Sequence, residues 1–480
     1  MEKKNNWRER AIACIILFSL IHVILAFFLN VTDDEAYYWV WSQNIHLSYF
    51  DHPPVVAYMI WVSTHIFGNN QVAIRIPTIL ILAIISGFAY KIYMYLYKDS
   101  KKAFILVLII NILPIYFIIT GLMMLPDSPL ILFFIISLYC FLRLLKENRP
   151  NLWYGMGILV GLGLYSKYYM IFTYVAIFII LLIYKEYRGH LKKIQLYLGL
   201  IISIAIFSPV IVWNAEHQWA SFVFQFYSRQ GHSGIKLFLT GQFIGGQLLV
   251  VTPFILLGLF GMMYRARRDR EAQIILLYSV LYFLVFLLAS LKTSTKLNWP
   301  ICAYIPFLII FVRYMKWGKF WKIFAVIIPA ILLIIVIFIA LFPVVNIPND
   351  SNVLMDMHGW QTVGSEVEAT YTNLNSQNPG EWFICGSRYQ VAGKLNLYLP
   401  HHNYVYSLNN GMDGYKFLRS TDNLIGKNGI FVTQSFYYDL PQNLYNAKAF
   451  KLIQVIPIYE YGVIRRDYFV YEIIDFQGVK

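Results

Sequence analysis

The 480-residue sequence has little charge and few cysteines. Only 13% of its residues are Asp, Glu, Lys or Arg, about half the share in a typical soluble protein, whereas 59% are hydrophobic. This composition excludes an ordinary soluble enzyme and indicates a bundle of membrane-spanning helices. Four cysteines are too few for a disulfide framework in a chain of this length. We therefore expect neither disulfides nor a zinc site, which needs clustered ligands.

Long apolar segments predict about eleven transmembrane helices. The first follows a basic N-terminus, but it is long for a signal peptide and has no small-residue cleavage site, so we expect a retained span. The segments 152–166 and 300–315 are short for a bilayer, and the apolar segment 55–67 is predicted to be an interfacial helix. The predicted spans are 11–29, 76–97, 103–119, 129–145, 152–166, 168–184, 194–212, 235–263, 271–290, 300–315 and 323–343.

Loop charge predicts the orientation of these spans. With a cytoplasmic N-terminus, the loops on the inner side carry 23 Lys and Arg and the opposite loops carry 6, as the positive-inside rule requires. The N-terminus is therefore predicted to be cytoplasmic and the last segment to lie outside. The formal net charge of +14 then reflects membrane topology, and nucleic acid is not an expected partner.

The composition changes after the last span. A turn-rich junction near residue 344 is followed by a helical segment at 360–374 and by short segments rich in Val, Ile, Tyr and Phe. This pattern predicts a small extracytoplasmic α/β domain over 344–480, after a transmembrane domain over 1–343. The first outer loop, 30–75, belongs to the transmembrane domain in this prediction.

Acidic residues cluster in the outer loops. Asp33, Asp34, Glu35 and Asp51 lie in the first loop among many aromatic residues, and Asp127 lies between two later spans. Three successive carboxylates after a span are costly unless water, a cation or a reacting group uses them. The alternatives are a solvated loop with an interfacial aromatic belt, and a helix N-cap for Asp127.

The few cations in the outer loops are candidate phosphate-binding groups. Lysine and arginine with nearby hydroxyls suit a phosphate or pyrophosphate headgroup, although Lys167 has the alternative of snorkelling to the interface. Carboxylates, cations and aromatics on one face indicate an outer-face membrane enzyme or a transporter. The candidate cations are Lys167, Arg229, Lys292 and Lys296.

Two motifs of the first loop carry a family resemblance. The run Asp34 to Trp39, followed by Tyr49 to Pro54, resembles the integral-membrane glycosyltransferases of the GT-C class. Family 39 looks closest, with the protein O-mannosyltransferases and the aminoarabinose transferase that modifies lipid A. The resemblance covers nearly the whole chain, through weaker motifs at 126–130, 161–167, 208–214, 296–300 and 388–392.

The resemblance implies a polyprenyl-phosphate sugar donor, an inverting single displacement and an active site under the first outer loop. It makes Asp34 the catalytic-loop carboxylate, Glu35 its support and Asp127 the second acidic residue of the cavity. With a hydroxyl acceptor, Asp34 would remove the proton, whereas a phosphate acceptor needs no base and Asp34 would orient groups or a metal. No cofactor is certain, and a divalent metal ion on Asp34, Glu35 and Asp127 is left open.

The same resemblance implies a set of residues that contact the donor phosphate or the acceptor. The aminoarabinose enzyme has Glu-Lys-Pro where this chain has Asp51-His52-Pro53, and Arg where this chain has Tyr37, so its substrate pair cannot be carried over. A protonated His52 would replace the lysine charge only under some conditions, since an ordinary histidine pKa is near 6.5. The implied contact residues are His52, Asp51, Lys167, Arg229, Lys292, Lys296, Tyr37 and Trp299.

Together these observations predict a polytopic α-helical membrane protein of the bacterial inner membrane, with a periplasmic C-terminal domain. The predicted activity transfers a hexosyl or pentosyl group from a polyprenyl-phosphate donor to lipid A, another glycolipid or a glycan, with membrane lipids as further partners. The first alternative is a protein O-mannosyltransferase. The second is a lipid-linked sugar flippase or transporter, which would place ionisable residues at the bilayer midplane on broken helices.

Overall fold

The computed structural model describes residues 6–227, 234–316, 318, 320, 323–342, 356–399, 404–408, 413–460 and 463–480. It divides into two compact units. The helical unit comprises Met1–Leu25, His52–Val56 and Arg75–Ile335. The mixed unit comprises Ala26–Asp51, Ala57–Ile74 and Val336–Lys480, so most of the first loop groups with the C-terminal domain and not with the later helices.

Helices dominate the chain from Trp7 to Leu341. Their hydrophobic side chains remain exposed on several helices, for example Leu17, Leu20 and Phe27 of α1, as expected for surfaces that face lipid. The helices are α1 (Trp7–Phe28), α2 (Asp33–Gln43), α3 (Val55–Phe67), α4 (Gln71–Tyr97), α5 (Ser100–Ile112), α6 (Pro114–Tyr116), α7 (Asp127–Glu147), α8 (Leu152–Ser166), α9 (Ile171–Ile183), α10 (Ile194–Glu216), α11 (Ala220–Phe226), α12 (Leu237–Val251), α13 (Pro253–Ala266), α14 (Arg270–Ala289), α15 (Ile301–Tyr314) and α16 (Ile328–Leu341).

All eleven predicted spans coincide with helical segments. Within the described residues, six helices are long and apolar enough to cross a bilayer, and the number rises to nine if each of three bent pairs is one span. The bends include one of 63° between Ser100–Ile112 and Pro114–Leu122, where Pro114 interrupts the apolar segment. The other two predicted spans are α8 and α15, with 15 and 14 residues. At about 1.5 Å per residue they are shorter than the hydrocarbon core, which explains the difference from eleven.

The mixed unit contains a five-stranded sheet, and the predicted α/β domain is confirmed. The strand order is β2-β1-β3-β5-β4; β1 pairs in parallel with β2 and β3, and β5 pairs antiparallel with β3 and β4. The remaining elements are α17 (Trp360–Gln377), β1 (Trp382–Gly386), α18 (Tyr389–Tyr398), β2 (Val405–Ser407), β3 (Asn428–Gln434), α19 (Pro441–Leu444), β4 (Tyr445–Glu460) and β5 (Val463–Val479).

Helix α2 packs closely on α18 inside the mixed unit. Gly393 of α18 allows the approach, because a Cβ added there would lie 3.1 Å from the backbone nitrogen of Tyr37. Nine of the eleven residues of α2 are buried, although the helix carries three acids in its first turn. The C-terminal domain therefore supplies the surface that holds the first loop.

Candidate active site

The sequence motif at the start of α2 forms a capping box. The Glu35 carboxylate accepts from the Thr32 backbone N–H at 2.8 Å and from the Thr32 hydroxyl at 3.1 Å. The Glu35 backbone N–H in turn donates to the Thr32 hydroxyl, so donor groups at the helix N-terminus are satisfied. Glu35 is fully buried, and its carboxylate fixes the first turn of α2.

Asp33 lies in a buried network of charges within the mixed unit. Its carboxylate is 3.6 Å from the Lys394 ammonium, which is fully buried on α18. Lys394 also donates to the Asp356 carbonyl oxygen. The Asp356 side chain accepts from the Arg466 guanidinium at 2.5 Å, and Arg466 donates to Gln434 at 3.0 Å. Two acids and two cations therefore tie α2 to α18 and to the sheet.

Asp34 differs from both of its neighbours. It is only partly buried, and its Oδ1 accepts from the Tyr389 hydroxyl at 3.3 Å. Tyr389 is the first residue of α18 and belongs to the weak motif at 388–392. Of the three adjacent carboxylates, Asp33 is in an ion pair, Glu35 caps the helix, and Asp34 is the one that is only partly buried.

Two carboxyls of the mixed unit have strongly raised pKa values. Burial raises the pKa of Asp33 to about 7, with a further contribution from the nearby Asp356 carboxylate. Burial also raises the pKa of Asp413 to about 7. In both cases a low-dielectric surrounding disfavours the charged form.

These pKa values predict a pH-dependent stability of the mixed unit. The folded-state pKa exceeds the unfolded value, so protonation of Asp33 and Asp413 stabilises the fold below pH 4, and this contribution is lost as the pH rises to 7. Each pKa unit by which the folded value of a group exceeds its unfolded value changes the free energy of unfolding by about 1.4 kcal/mol. The measurement is hydrogen exchange of the full chain in nanodiscs, for the wild type and for an Asp33→Asn/Asp413→Asn variant. As the pH rises from 4 to 7, we expect the protection of β3 and β5 to fall more in the wild type than in the variant. A constant difference across this range would contradict the assignment.

The Tyr37 side chain packs the first loop against the C-terminal domain. Its hydroxyl donates to Asp51 at 2.7 Å and accepts from the Gly414 backbone N–H at 2.9 Å. A Cβ at position 414 would clash with this hydroxyl, and the Tyr37 ring stacks on Tyr415 with 5.6 Å between centroids. The hydroxyl of Tyr37 and the carboxylate of Asp51, both expected near the substrate phosphate, are therefore bonded to each other.

The helical unit contains a second buried site. The Lys167 ammonium lies 2.9 Å and 2.8 Å from the two carboxylate oxygens of Asp127, and both side chains are 3% exposed. Asp127 is the first residue of α7, and Pro126 occupies the N-cap position. Burial of Lys167 in this ion pair contradicts snorkelling to the interface, whereas the position of Asp127 in the first turn of α7 agrees with a helix-start role beside the ion pair.

Aromatic side chains connect this pair to the Trp299 motif. Lys167 lies 5.2 Å from the ring centroid of Tyr169, and Tyr169 contacts Phe286 at 4.7 Å and Trp299 at 6.0 Å between centroids. Trp299 is 9% exposed. The fold thus brings together Asp127, Lys167 and Trp299, which are far apart in the sequence.

The other predicted residues have separate environments. Lys292 and Lys296 are exposed in the segment between α14 and α15, His52 is buried and belongs to the helical unit, and Arg229 lies outside the described residues. No group of three His, Cys, Asp or Glu side chains among the described residues is placed to hold a metal ion. The open metal site of Asp34, Glu35 and Asp127 thus gains no support, and the Glu35 carboxylate is taken up by the capping box.

The sequence did not single out Lys394, Asp356 or Arg466. In the sequence they look like ordinary surface charges of a small α/β domain. The only available signal was the position of Lys394 in a helix of mostly apolar and small residues, Tyr389–Tyr398. Their association with Asp33 joins the first loop to the C-terminal domain, and a contact between such distant segments leaves no local pattern.

Comparisons with known proteins agree with this architecture. The family model described as dolichyl-phosphate-mannose-protein mannosyltransferase matches residues 51–213. The structure of ArnT from Cupriavidus metallidurans bound to undecaprenyl phosphate superposes with a TM-score of 0.65 at 14% identity, covering 95% of this chain and 97% of that chain. Its apo structure gives a TM-score of 0.64 at 13% identity. The chain has the GT-C fold.

A curated relative adds a comparison at the level of sequence. The lipid A galacturonosyltransferase RgtD from Rhizobium johnstonii is 26% identical over 330 residues, which are 64% of this chain and 66% of the relative. The predicted resemblance to GT-C enzymes is confirmed, as are the polytopic helical fold with its C-terminal sheet domain and the glycosyltransferase class.

Proposed function

We propose that this chain transfers one sugar from a polyprenyl-phosphate donor to a hydroxyl group of a glycolipid or glycan. Three findings support the proposal: the mannosyltransferase family model is named for a dolichyl-phosphate donor, ArnT was crystallised with undecaprenyl phosphate, and RgtD acts on lipid A. The family model and the ArnT structure therefore support a lipid-phosphate donor, and RgtD supports a lipid A-type acceptor.

The observation that carries the mechanism is the partial exposure of Asp34, whose two neighbouring acids are buried. As the acceptor oxygen bonds to the anomeric carbon, its proton passes to the Asp34 carboxylate. The bond from the anomeric carbon to the phosphate oxygen breaks on the opposite face, and polyprenyl phosphate leaves with the electron pair. A single displacement of this kind inverts the anomeric configuration, and a carboxylate within hydrogen-bond reach is a suitable base.

Glu35 and Asp33 support this base without touching the substrate. The capping box sets the first turn of α2, and the ion pair with Lys394 holds the same turn from the side of α18. Tyr389 donates to Asp34, which orients the carboxylate. We infer that all three are positioning residues for Asp34.

In the helical unit, Lys167 is our candidate for the donor phosphate. Its ammonium already donates to both carboxylate oxygens of Asp127, and a phosphate oxygen is a stronger partner for an ammonium than a neutral acceptor. Asp127 would hold Lys167 in place before the donor binds. Trp299 and Tyr169 would then border the sugar or its lipid phosphate, and Lys292 and Lys296 would add positive charge.

The location follows from the charge of the loops. We propose that the N-terminus is cytoplasmic, that the mixed unit is periplasmic and that the chain lies in the inner membrane of a bacterium. Since polyprenyl-phosphate sugars are presented at the outer face in this arrangement, the acceptor would be a periplasmic lipid A, lipopolysaccharide or glycan.

A second candidate is a protein O-mannosyltransferase, favoured by the match of the mannosyltransferase model to residues 51–213. Incubation of the full-length protein in membranes with a labelled lipid-linked sugar separates the two. We expect label in the glycolipid or glycan fraction, with one free polyprenyl phosphate per transferred sugar. Label in protein would identify the mannosyltransferase activity instead, and transport of intact donor without release of polyprenyl phosphate would identify a transporter.

A further inference from the structure

A polar pocket of about 540 Å³ lies in the mixed unit at the C-terminal end of α2. Trp39, Gln43 and Asn44 line it from α2 and its C-cap, and Asn396 and Tyr404 line it from α18 and the segment before β2. Asp34 lies in the first turn of the same helix. Nine residues at about 1.5 Å each place Gln43 roughly 13 Å further along the axis, so this pocket is separate from the proposed base.

The lining of the pocket is rich in amides. Gln43, Asn44, Asn69 and Asn396 contribute side-chain amides, which both donate and accept hydrogen bonds. The Trp39 indole N–H donates to Asn69 at 3.2 Å. The Tyr404 hydroxyl is buried and has no hydrogen-bond partner among the described residues. Amides, a hydroxyl and aromatic rings match the hydroxyls and the CH faces of a sugar ring, whereas a lipid tail needs an apolar lining.

Among the described residues, one cation borders the pocket and no acid does. The Arg419 guanidinium lies 4.1 Å from the ring centroid of Tyr404 and is exposed. The described residues place no carboxylate within ion-pair distance of it, and the residues that line the pocket include no Asp or Glu. Lys416 lies three residues earlier and shares an adjoining cavity with Arg419 and Tyr404. An anionic substituent therefore fits this edge of the pocket better than a neutral one.

We infer that the pocket binds an acidic saccharide unit of the acceptor, a few sugar units away from the hydroxyl that receives the transferred group. This inference rests on the proposed function and deepens it, since it names an acidic glycan as the acceptor class. The negative charge would come from a carboxylate or a phosphate on the sugar, and Arg419 would bind either one.

Binding of defined saccharides tests the inference without any transfer reaction. The full chain in nanodiscs is titrated with digalacturonate, glucose 6-phosphate, lactose and inorganic phosphate, with binding followed by saturation-transfer NMR. We expect at least one acidic sugar to bind ten times or more tightly than lactose. Arg419→Ala should weaken that binding at least tenfold, since it removes a charge-assisted contact, and Gln43→Ala should weaken it less. Lys451→Ala, which removes an exposed cation of the same domain outside the pocket, should have no effect.

The two acidic probes identify the source of the charge. Preference for digalacturonate supports a uronic acid, and preference for glucose 6-phosphate supports a phosphorylated sugar. The inference is overturned if none of the sugars binds, if lactose binds as tightly as the acidic sugars, if Arg419→Ala and Lys451→Ala behave alike, or if inorganic phosphate alone binds as tightly as the sugars. An Asp34→Asn variant should bind the acidic sugar normally, so label transfer at the wild-type rate by this variant, with intact saccharide binding, would count against the proposed reaction only.

Discussion

Replacing Asp34 with Asn is expected to lower the rate of sugar transfer by about 10²- to 10⁴-fold, the usual contribution of a positioned general base. The amide keeps the shape of the side chain and still accepts from Tyr389, but it cannot take the proton of the acceptor hydroxyl. The measurement is release of free polyprenyl phosphate by the full-length protein in nanodiscs, with labelled donor in excess.

Two further variants make this result specific. Tyr389→Phe removes the hydrogen bond that this hydroxyl donates to Asp34 and should lower kcat by a smaller factor without changing KM for the donor. Glu366→Gln, on the exposed face of α17, should leave the rate unchanged. An Asp34→Asn variant that is folded in nanodiscs and transfers sugar at the wild-type rate would remove Asp34 as the base, and it would be the expected result for a phosphate acceptor.

Replacing Lys394 with Met is expected to destabilise the mixed unit by about 3–5 kcal/mol, the usual cost of removing one member of a buried ion pair. The Lys394 side chain is fully buried, so at a pH above the Asp33 pKa of about 7 its loss leaves an ionised carboxylate without a compensating charge. The measurement is hydrogen exchange of α18 and β5 in the full chain, which reports opening of this unit directly.

An exposed ion pair of the same domain provides the matched control. Lys427 pairs with Glu381, and the side chains are 29% and 78% exposed, so Lys427→Met should cost no more than about 1 kcal/mol. A double variant, Asp33→Asn/Lys394→Met, should recover part of the lost stability because it removes the unpaired charge. Equal effects of Lys394→Met and Lys427→Met would show that the buried network does not hold the loop.

Much of the fold was predictable because its signals are local. A span needs about 20 apolar residues in succession, and each predicted segment coincides with helical structure. The capping box at Thr32 and Glu35 is also a local pattern, as are the strand segments of the C-terminal domain. The break in the segment 103–119 has a visible cause in Pro114.

The candidate site was predictable only in part. The sequence identified Asp34, Glu35 and Asp127 as acids of interest, but their environments depend on distant partners. Asp127 begins α7 and Lys167 follows the end of α8, so whether the ammonium reaches water or a carboxylate depends on how these two helices pack. Lys394 lies in the C-terminal domain and Asp33 in the first loop, so no local pattern connects them.

The sequence by itself determined that this protein is a polytopic membrane protein, because hydropathy and loop charge add up residue by residue along the chain. Only the tertiary structure decided the separate environments of the three adjacent acids at the start of α2. Burial and ion pairing depend on which surfaces meet in the fold. Asp33 forms an ion pair with Lys394, and Glu35 accepts hydrogen bonds from Thr32. Asp34 is the one of the three that stays partly exposed.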